Sequence, residues 1–480
     1  MKSFLLVIIS AVTVQALYSC GSKAAAVEES GDADRRMMML PDSTYSVSTF
    51  INDADDPVSL LGIDFTIGED LPPFGDLQIT ASSSNTHVVP DSNLVLSGNG
   101  VTRNLKITAV AAGYSMITVT VTDGPRRHSY MLNYAASQAT TATGKRWHAG
   151  IADASAAIVI DNNYMLVAND ETNSLYLYNR NHSGLPVKSF DYNLGNALAL
   201  TDSFAGKWKE VDVEAGVRGI RDPSVIYWIG SMSNNGAFFI KPNRNRIFAV
   251  RVSGKGAAAS FSNAGYCQLR QQLVVWGNNH GYNFDSSAAA GKNAKQADGF
   301  NIEGMVFGPD DQTLYIGFRA PLVPATIRTK AVIAPVMNFE KWFNNGSQAG
   351  DPLIGDPIEL DLGGRGIRDI IRMPNGSYVI IAGSCGAELV PAVYTWTGQA
   401  TNAPVMVNSF ALAGLNVEGV IPVYEGGQLS LDKLQLLTDN GNDIFYGDSI
   451  TAKNLSADNF KKFSSVISES PKQQVPSVKQ

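Results

Sequence analysis

Five times between residues 151 and 420 a short polar phrase opens an apolar run. The phrases are Asp153-Ala-Ser155-Ala-Ala, Asp212-Val-Glu214-Ala-Gly, Asn301-Ile-Glu303-Gly-Met, Ile367-Arg-Asp369-Ile-Ile and Asn416-Val-Glu418-Gly-Val. Each leads into a second β-rich run: Tyr164-Met-Leu-Val-Ala, Ile226-Tyr-Trp-Ile-Gly, Leu314-Tyr-Ile-Gly-Phe, Tyr378-Val-Ile-Ile-Ala and Leu434-Gln-Leu-Leu. Self-similarity of this kind, with several short strands per unit, predicts a β-propeller, which closes on itself and removes exposed sheet edges. The spacing predicts five motif-bearing blades, with a sixth left open. Its average is nearer sixty residues than the usual forty-odd, and the surplus falls in two places. Residues 262–298 and 337–352 carry short helical patterns and read as insertions, the first of them between the second and third blades.

With 44 glycines, 21 prolines and few long segments of 3.6-residue period, the rest of the chain also reads as all-β. The 440 residues beyond the first forty are too many for one core and predict two domains. Residues 43–138 predict a β-sandwich, because four alternating strands recur between turn signals: Leu77–Ala81, Asn93–Ser97, Asn104–Ala109 and Ser115–Thr122. The phrases Ser83-Ser-Asn85, Val89-Pro90-Asp91, Ser97-Gly-Asn-Gly100 and Val119-Thr-Val-Thr-Asp123-Gly124 resemble immunoglobulin- or cadherin-like repeats of bacterial surface proteins. The sandwich's acidic turn, Asp53, Asp55 and Asp56 with Asp123, offers oxygen ligands suited to Ca2+ or simply a solvated loop. The propeller is placed at 139–450, and 451–480 reads as a loosely attached polar tail.

The amino terminus is read as an address. Lys2, the apolar stretch Phe4–Val14 and then Leu17-Tyr-Ser-Cys20-Gly21 resemble a bacterial lipoprotein signal, in which the cysteine is lipidated after cleavage. Residues 1–20 are then a signal peptide and 21–42 a flexible tether. The expected location is the bacterial cell envelope, with the membrane as partner through Cys20. Cys267 and Cys385 remain, free to pair or to stay as buried thiols. A net charge of −7 without any block of Lys and Arg argues against a nucleic-acid partner.

Several phrases stand in one order: Asp153-Ala-Ser-Ala with Ala168-Asn-Asp170-Glu171, Val211-Asp-Val-Glu-Ala with Tyr227-Trp-Ile-Gly-Ser, and Asn243-Arg-Asn-Arg246-Ile-Phe-Ala. Gly299-Phe-Asn-Ile-Glu-Gly-Met with Ile316-Gly-Phe-Arg319-Ala-Pro and Leu360-Asp-Leu-Gly-Gly-Arg365-Gly-Ile-Arg368-Asp369 follow. Together they resemble a bacterial propeller family known only as a domain of unknown function, itself distantly similar to esterase-like phytase propellers. The resemblance covers about 145–450 and implies the fold more strongly than the chemistry.

In a propeller the first residues of each innermost strand gather at one mouth of the central channel. The aligned third positions are Ser155, Glu214, Glu303, Asp369 and Glu418, and two residues earlier stand Asp153, Asp212, Asn301, Ile367 and Asn416. Carboxylates so gathered need compensation. Three forms stay open: a divalent cation, with Ca2+ on Asp153, Asp212, Glu214, Glu303 and Glu418; pairing with Arg218, Arg319, Arg365 and Arg368; or hydrogen bonds to the next blade's backbone. Asp170-Glu171 and Asp439-Asn440 are placed to add to the same surface. With Glu303 and Asp369 as acid–base groups and Arg319 and Arg368 on an anion, hydrolysis of a phosphoester or lactone is the expected chemistry. A binding or adhesion propeller without chemistry, taking a small anion or a surface ligand, is the alternative. No Gly-x-Ser-x-Gly elbow, phosphate-binding loop or dinucleotide fingerprint occurs. The five histidines are too scattered for a zinc site, and His148 and His280 are expected at the surface.

Overall fold

The computed structural model describes residues 45–469 apart from 67–76, 101, 139–143, 346–350, 387–388, 408–411, 413 and 427. The signal peptide, Cys20 and the tether lie outside the described residues. The chain falls into two compact units. One holds the residues up to Ala152 together with Leu177–Ser189 and Asn440–Ser464; the other holds Asp153–Tyr176, Phe190–Asp439 and the chain from Ser465.

The first unit contains β1 (Tyr45–Phe50), β2 (Ile63–Thr66), β3 (Gln78–Ser83), β4 (Leu94–Ser97), β5 (Thr102–Ile107), β6 (Gly113–Asp123) and β7 (Arg126–Ser137). They form two sheets, ordered β1-β7-β6-β3 and β2-β5-β4. Period-2 alternation turns Val47, Ile117, Val119 and Val121 of one sheet and Phe65, Leu105 and Ile107 of the other into one core, which makes a sandwich. A second apolar cluster in this unit joins Phe50, Trp147, Phe445 and Tyr446, with Phe50 stacked on Trp147 at 4.1 Å between centroids.

Three features of this unit bear on the sequence reading. Lys462, in the stretch expected to be a loose tail, is buried: its ammonium donates to Thr49 O at 2.8 Å and to Ser137 Oγ at 2.6 Å. The reason is apolar spacing, since Leu455, Phe460 and Phe463 pull the surrounding chain into the interior. His148, expected at the surface, is also buried, stacked on Phe463 at 4.8 Å, and burial holds its imidazole down to about 3. The acidic turn serves the fold. Asp56 caps α1 (Pro57–Leu60) through Ser59 N, while Asp55 accepts from Ser183 N at 2.6 Å and lies 3.4 Å from Arg146 Nε. The side chain of Asp123 lies outside the described residues.

The second unit is the propeller. Its innermost strands coincide with the repeated phrases: β8 (Ala154–Val159), β10 (Val213–Arg218), β12 (Asn301–Phe307), β14 (Gly366–Arg372) and β16 (Val417–Glu425). Each pairs antiparallel with the second run of its blade: β9 (Tyr164–Asn169), β11 (Val225–Gly230), β13 (Leu314–Ala320), β15 (Tyr378–Gly383) and β17 (Gln428–Thr438). β8 lies beside β10, β10 beside β12, β12 beside β14, β14 beside β16, and β16 beside β8. Five inner strands therefore close the ring, and the sixth blade left open by the sequence has no place in it.

In the middle three blades the sheet continues outward through Ile247–Ser253 and Ser260–Cys267, Ala331–Val336 and Ile358–Leu360, and Ala392–Trp396 and Val405–Val407. The predicted helical insertions are present, although the first begins later than expected because Ser260–Cys267 is still strand. α2 (Arg270–Asn279) and α3 (Phe284–Ser287) bring Phe284 onto Phe300 and Phe318. α4 (Phe339–Asn345) sets Phe339 edge-on against Tyr227. These rings enlarge the apolar core of the second and third blades. Glycine makes the tightest approach: a Cβ on Gly366 would stand 1.9 Å from the carbonyl oxygen of Arg319.

Candidate functional site

At the head of every inner strand the pairing slips by one residue. β8 passes from Ala154, opposite Asn169, to Ala156, opposite Ala168. β10 passes from Val213 to Ala215, β12 from Ile302 to Gly304, β14 from Ile367 to Asp369, and β16 from Val417 to Gly419. The residues left unpaired are Ser155, Glu214, Glu303, Arg368 and Glu418. A bulge re-aims the side chain it extrudes, and all five line one cavity of about 470 Å³.

The fourth member of this ring corrects the sequence alignment, which placed Asp369 there by matching acid to acid. The ladder gives that position to Arg368, because the register follows the preceding apolar residue (Ala154, Val213, Ile302, Ile367, Val417). Asp369 takes the next place, where the other blades have Ala156, Ala215, Gly304 and Gly419, and it does not line the cavity. Its carboxylate accepts from Ile370 N at 2.7 Å and from Val420 N of the next blade at 2.8 Å. Burial pushes it up to about 7 in spite of those two donors. Asp369 is thus an inter-blade latch. Ser155 acts likewise, its hydroxyl donating to Val213 O of the neighbouring blade at 2.5 Å.

The arginines divide the cavity. Arg368 lies between two ring neighbours, with Nε 3.0 Å from Glu303 Oε2 and Nη2 on Glu418 Oε1. Arg319 reaches Glu303 Oε1 at 3.0 Å, and Asn301 Nδ2 donates to the same oxygen at 2.7 Å. The Arg368–Glu303 approach is an ion pair without hydrogen-bond alignment, so Glu303 Oε2 keeps no hydrogen-bond partner. Arg319 and Arg368, considered as anion holders, are therefore engaged by carboxylates of the propeller itself. Arg218 and Arg365 lie away from the cavity, donating to the Val159 and Val390 carbonyls at 2.7 and 2.9 Å.

The opposite side of the cavity belongs to the first two blades and is acidic. Asp170, just past β9, offers an oxygen to two trios whose ligand atoms lie within 4.8 Å of one another: Asp153, Asp170 and Glu171, and Asp170, Asp212 and Glu214. Asp170 Oδ1 is buried without a hydrogen-bond partner. Burial, and then the charges of Asp212 and Asp153, raise its carboxyl well above the usual range. Glu214 is raised well above its ordinary value too, by burial first and then by Glu303, Asp212 and Asp170. Asp212 is pushed up by burial to about 6, although Arg244 Nη1 stands 2.7 Å away and opposes the shift.

Of the residues proposed for a cation, Asp153, Asp212 and Glu214 thus gather around Asp170, whereas Glu303 and Glu418 sit on arginine. Sequence reasoning gave Asp170 a peripheral place and gave Arg244 none. The signal for Arg244 was present in its own phrase, Asn243-Arg-Asn-Arg246, which turns back beside the head of β10. Arg244 also pairs with Glu210 at 3.1 Å and donates to Ser233 Oγ at 2.8 Å. Cys267 and Cys385 are both free thiols.

Charge bookkeeping shows what the cavity lacks. Its lining carries eight carboxylates, Asp153, Asp170, Glu171, Asp212, Glu214, Glu303, Glu418 and Asp439, against four cations, Arg244, Lys295, Arg319 and Arg368. Carboxylates at such spacing stay ionised only beside compensating charge. An all-oxygen donor set is the chemistry that hard divalent cations select.

No protein-family model matches the chain, and no curated protein is similar to it in sequence. Solved structures align along most of its length. A DUF4623 family protein from Bacteroides eggerthii shares 10% identity over 87% of this chain and 91% of its own, with a TM-score of 0.23. A quinonprotein alcohol dehydrogenase-like protein from Bacteroides thetaiotaomicron shares 7% over 89% and 96%, with a TM-score of 0.26. YCF48 from Cyanidioschyzon merolae shares 10% over 88% and 94%, with a TM-score of 0.27. At these scores the propeller rests on the sheets described above, and no chemistry transfers.

Proposed function

We propose that the propeller binds a divalent cation, Ca2+ by donor chemistry, among Asp153, Asp170, Glu171, Asp212 and Glu214, and through it an anionic ligand. The observation that carries this reading is Asp170: a buried carboxylate oxygen without a hydrogen-bond partner, amid four further carboxylates. A divalent cation there would act as a Lewis acid on a phosphoryl or carbonyl oxygen. The propeller's own groups would hold and orient the ligand, with Glu171, the exposed member of the first trio, at the cavity's outer side. Hydrolysis of a phosphoester or lactone is the reaction this set supports. A second reading, binding without chemistry, is favoured by the engagement of Arg319 and Arg368 with carboxylates and of Asp369 with backbone. Lipidation at Cys20, which would hold the protein at the cell envelope, belongs to the same proposal.

Thermal unfolding of the full chain tests the cation. Addition of Ca2+ should raise the midpoint and chelator should lower it, a site filled to 100 times its Kd adding about 2.7 kcal/mol. Asp170→Asn should abolish the response. A wild-type midpoint indifferent to both additions would remove the cation. Phosphoesterase and lactonase assays then separate the two readings: turnover that depends on Ca2+ and is lost in Glu171→Gln supports hydrolysis, and its absence leaves binding.

A further inference from the structure

We propose that the cavity holds two divalent cations bridged by Asp170; this deepens the cation reading above and rests on it. A single ion would need one set of oxygens around one point. The structure instead offers two trios, Asp153, Asp170 and Glu171 on one side and Asp170, Asp212 and Glu214 on the other, with Asp170 common to both. Within each trio the ligand oxygens lie no more than 4.8 Å apart. Two oxygens on opposite sides of one Ca2+ are about 4.6–5.2 Å apart, given Ca–O distances of 2.3–2.6 Å. Each trio is therefore the size of half a calcium shell, and the trios belong to different strand ends.

The second, independent observation is the bridging group itself. Asp170 Oδ1 is buried and accepts no hydrogen bond, which is costly for a carboxylate oxygen without a ligand. Charge agrees with the count. The lining as a whole carries eight carboxylates against four cations, an excess that two divalent ions would balance. Arg244 Nη1 stands 2.7 Å from Asp212, a member of the second trio. The cavity, at about 470 Å³, has room for both ions and a ligand.

Equilibrium dialysis of the full chain against Ca2+ alone, followed by metal analysis, reads the stoichiometry. The expected result is two ions per chain for wild type, one for Glu171→Gln, one for Glu214→Gln and none for Asp170→Asn. Glu171 is exposed, so its variant folds irrespective of the outcome, and circular dichroism checks the other two. One ion per wild-type chain would overturn the bridged pair and leave the single-cation reading standing. No ion at all would overturn both. A second ion retained in both glutamine variants would place it outside the trios and would equally overturn the proposal.

Discussion

Arg368 is the residue on which the ring's electrostatics turn. It neutralises two carboxylates contributed by neighbouring blades, Glu303 and Glu418, from inside a largely enclosed position. A buried pair adds little net stability over an apolar substitute, but removing one partner leaves uncompensated charge. Arg368→Met should therefore cost about 3–5 kcal/mol in urea unfolding. Arg368→Lys should recover only part of it, because one ammonium does not present the planar fork that reaches two carboxylates. A loss below about 1 kcal/mol would show that Glu303 is held by Arg319 and Asn301 alone. At this scale the sequence was legible in part. Glu214, Glu303 and Glu418 were placed on the ring from the phrase itself, whereas Arg368 and Asp369 were exchanged. The error is physical in origin: every head carries the same bulge, its register following the preceding apolar residue, Ile367 in this blade, and acid was instead matched to acid one residue later.

At the scale of elements, the inner strands and their partners were readable because apolar runs repeat in a fixed order, and all ten strands fall where the repeats predict. The starts of the insertions were less legible. Ser260–Cys267 is largely exposed, an outermost strand whose sequence lacks a buried face. What positions one blade head against the next is close backbone approach, visible in the sequence only as glycine. Gly366→Ala would drive a Cβ onto the Arg319 carbonyl, backbone against backbone. We expect destabilisation at the upper end of the roughly 1–3 kcal/mol that overpacking costs. Gly236→Ala, where a Cβ meets nothing within 4 Å, should change stability little. Equal effects of the two in denaturant titrations would show that the head of β14 can shift to make room.

At the scale of the molecule, the unit carrying the cavity closes only when β16 reaches β8, strands from opposite ends of the repeat, so its five heads converge late in any order of assembly. The sandwich unit was legible from turn spacing; the burial of Lys462 was missed because the apolar spacing of Leu455, Phe460 and Phe463 was read as a tail, and that of His148 because its partner Phe463 is far away in sequence. No helix among the described residues is long and apolar enough to cross a membrane. The proposed attachment through Cys20 is therefore tested directly. In a bacterial host, Cys20→Ala should move the protein from the membrane fraction to the soluble one and abolish palmitate labelling. Unchanged partitioning with no label in wild type would remove the anchor.

Five is an odd number, and a closed circuit of odd length cannot alternate plus and minus. Going round by blade, the heads read neutral, minus, minus, plus, minus: Ser155, Glu214, Glu303, Arg368, Glu418. Somewhere two like signs must adjoin or a neutral residue must intervene, and this circuit does both. The like-charged pair is Glu214 and Glu303, and Glu303 is the largest charge acting on Glu214 after burial itself. A four- or six-bladed relative of the same design could cancel its charges within the protein. In this five-bladed ring the alternation is broken in one sector, beside Asp170, and there the proposed ion would supply the missing positive charge.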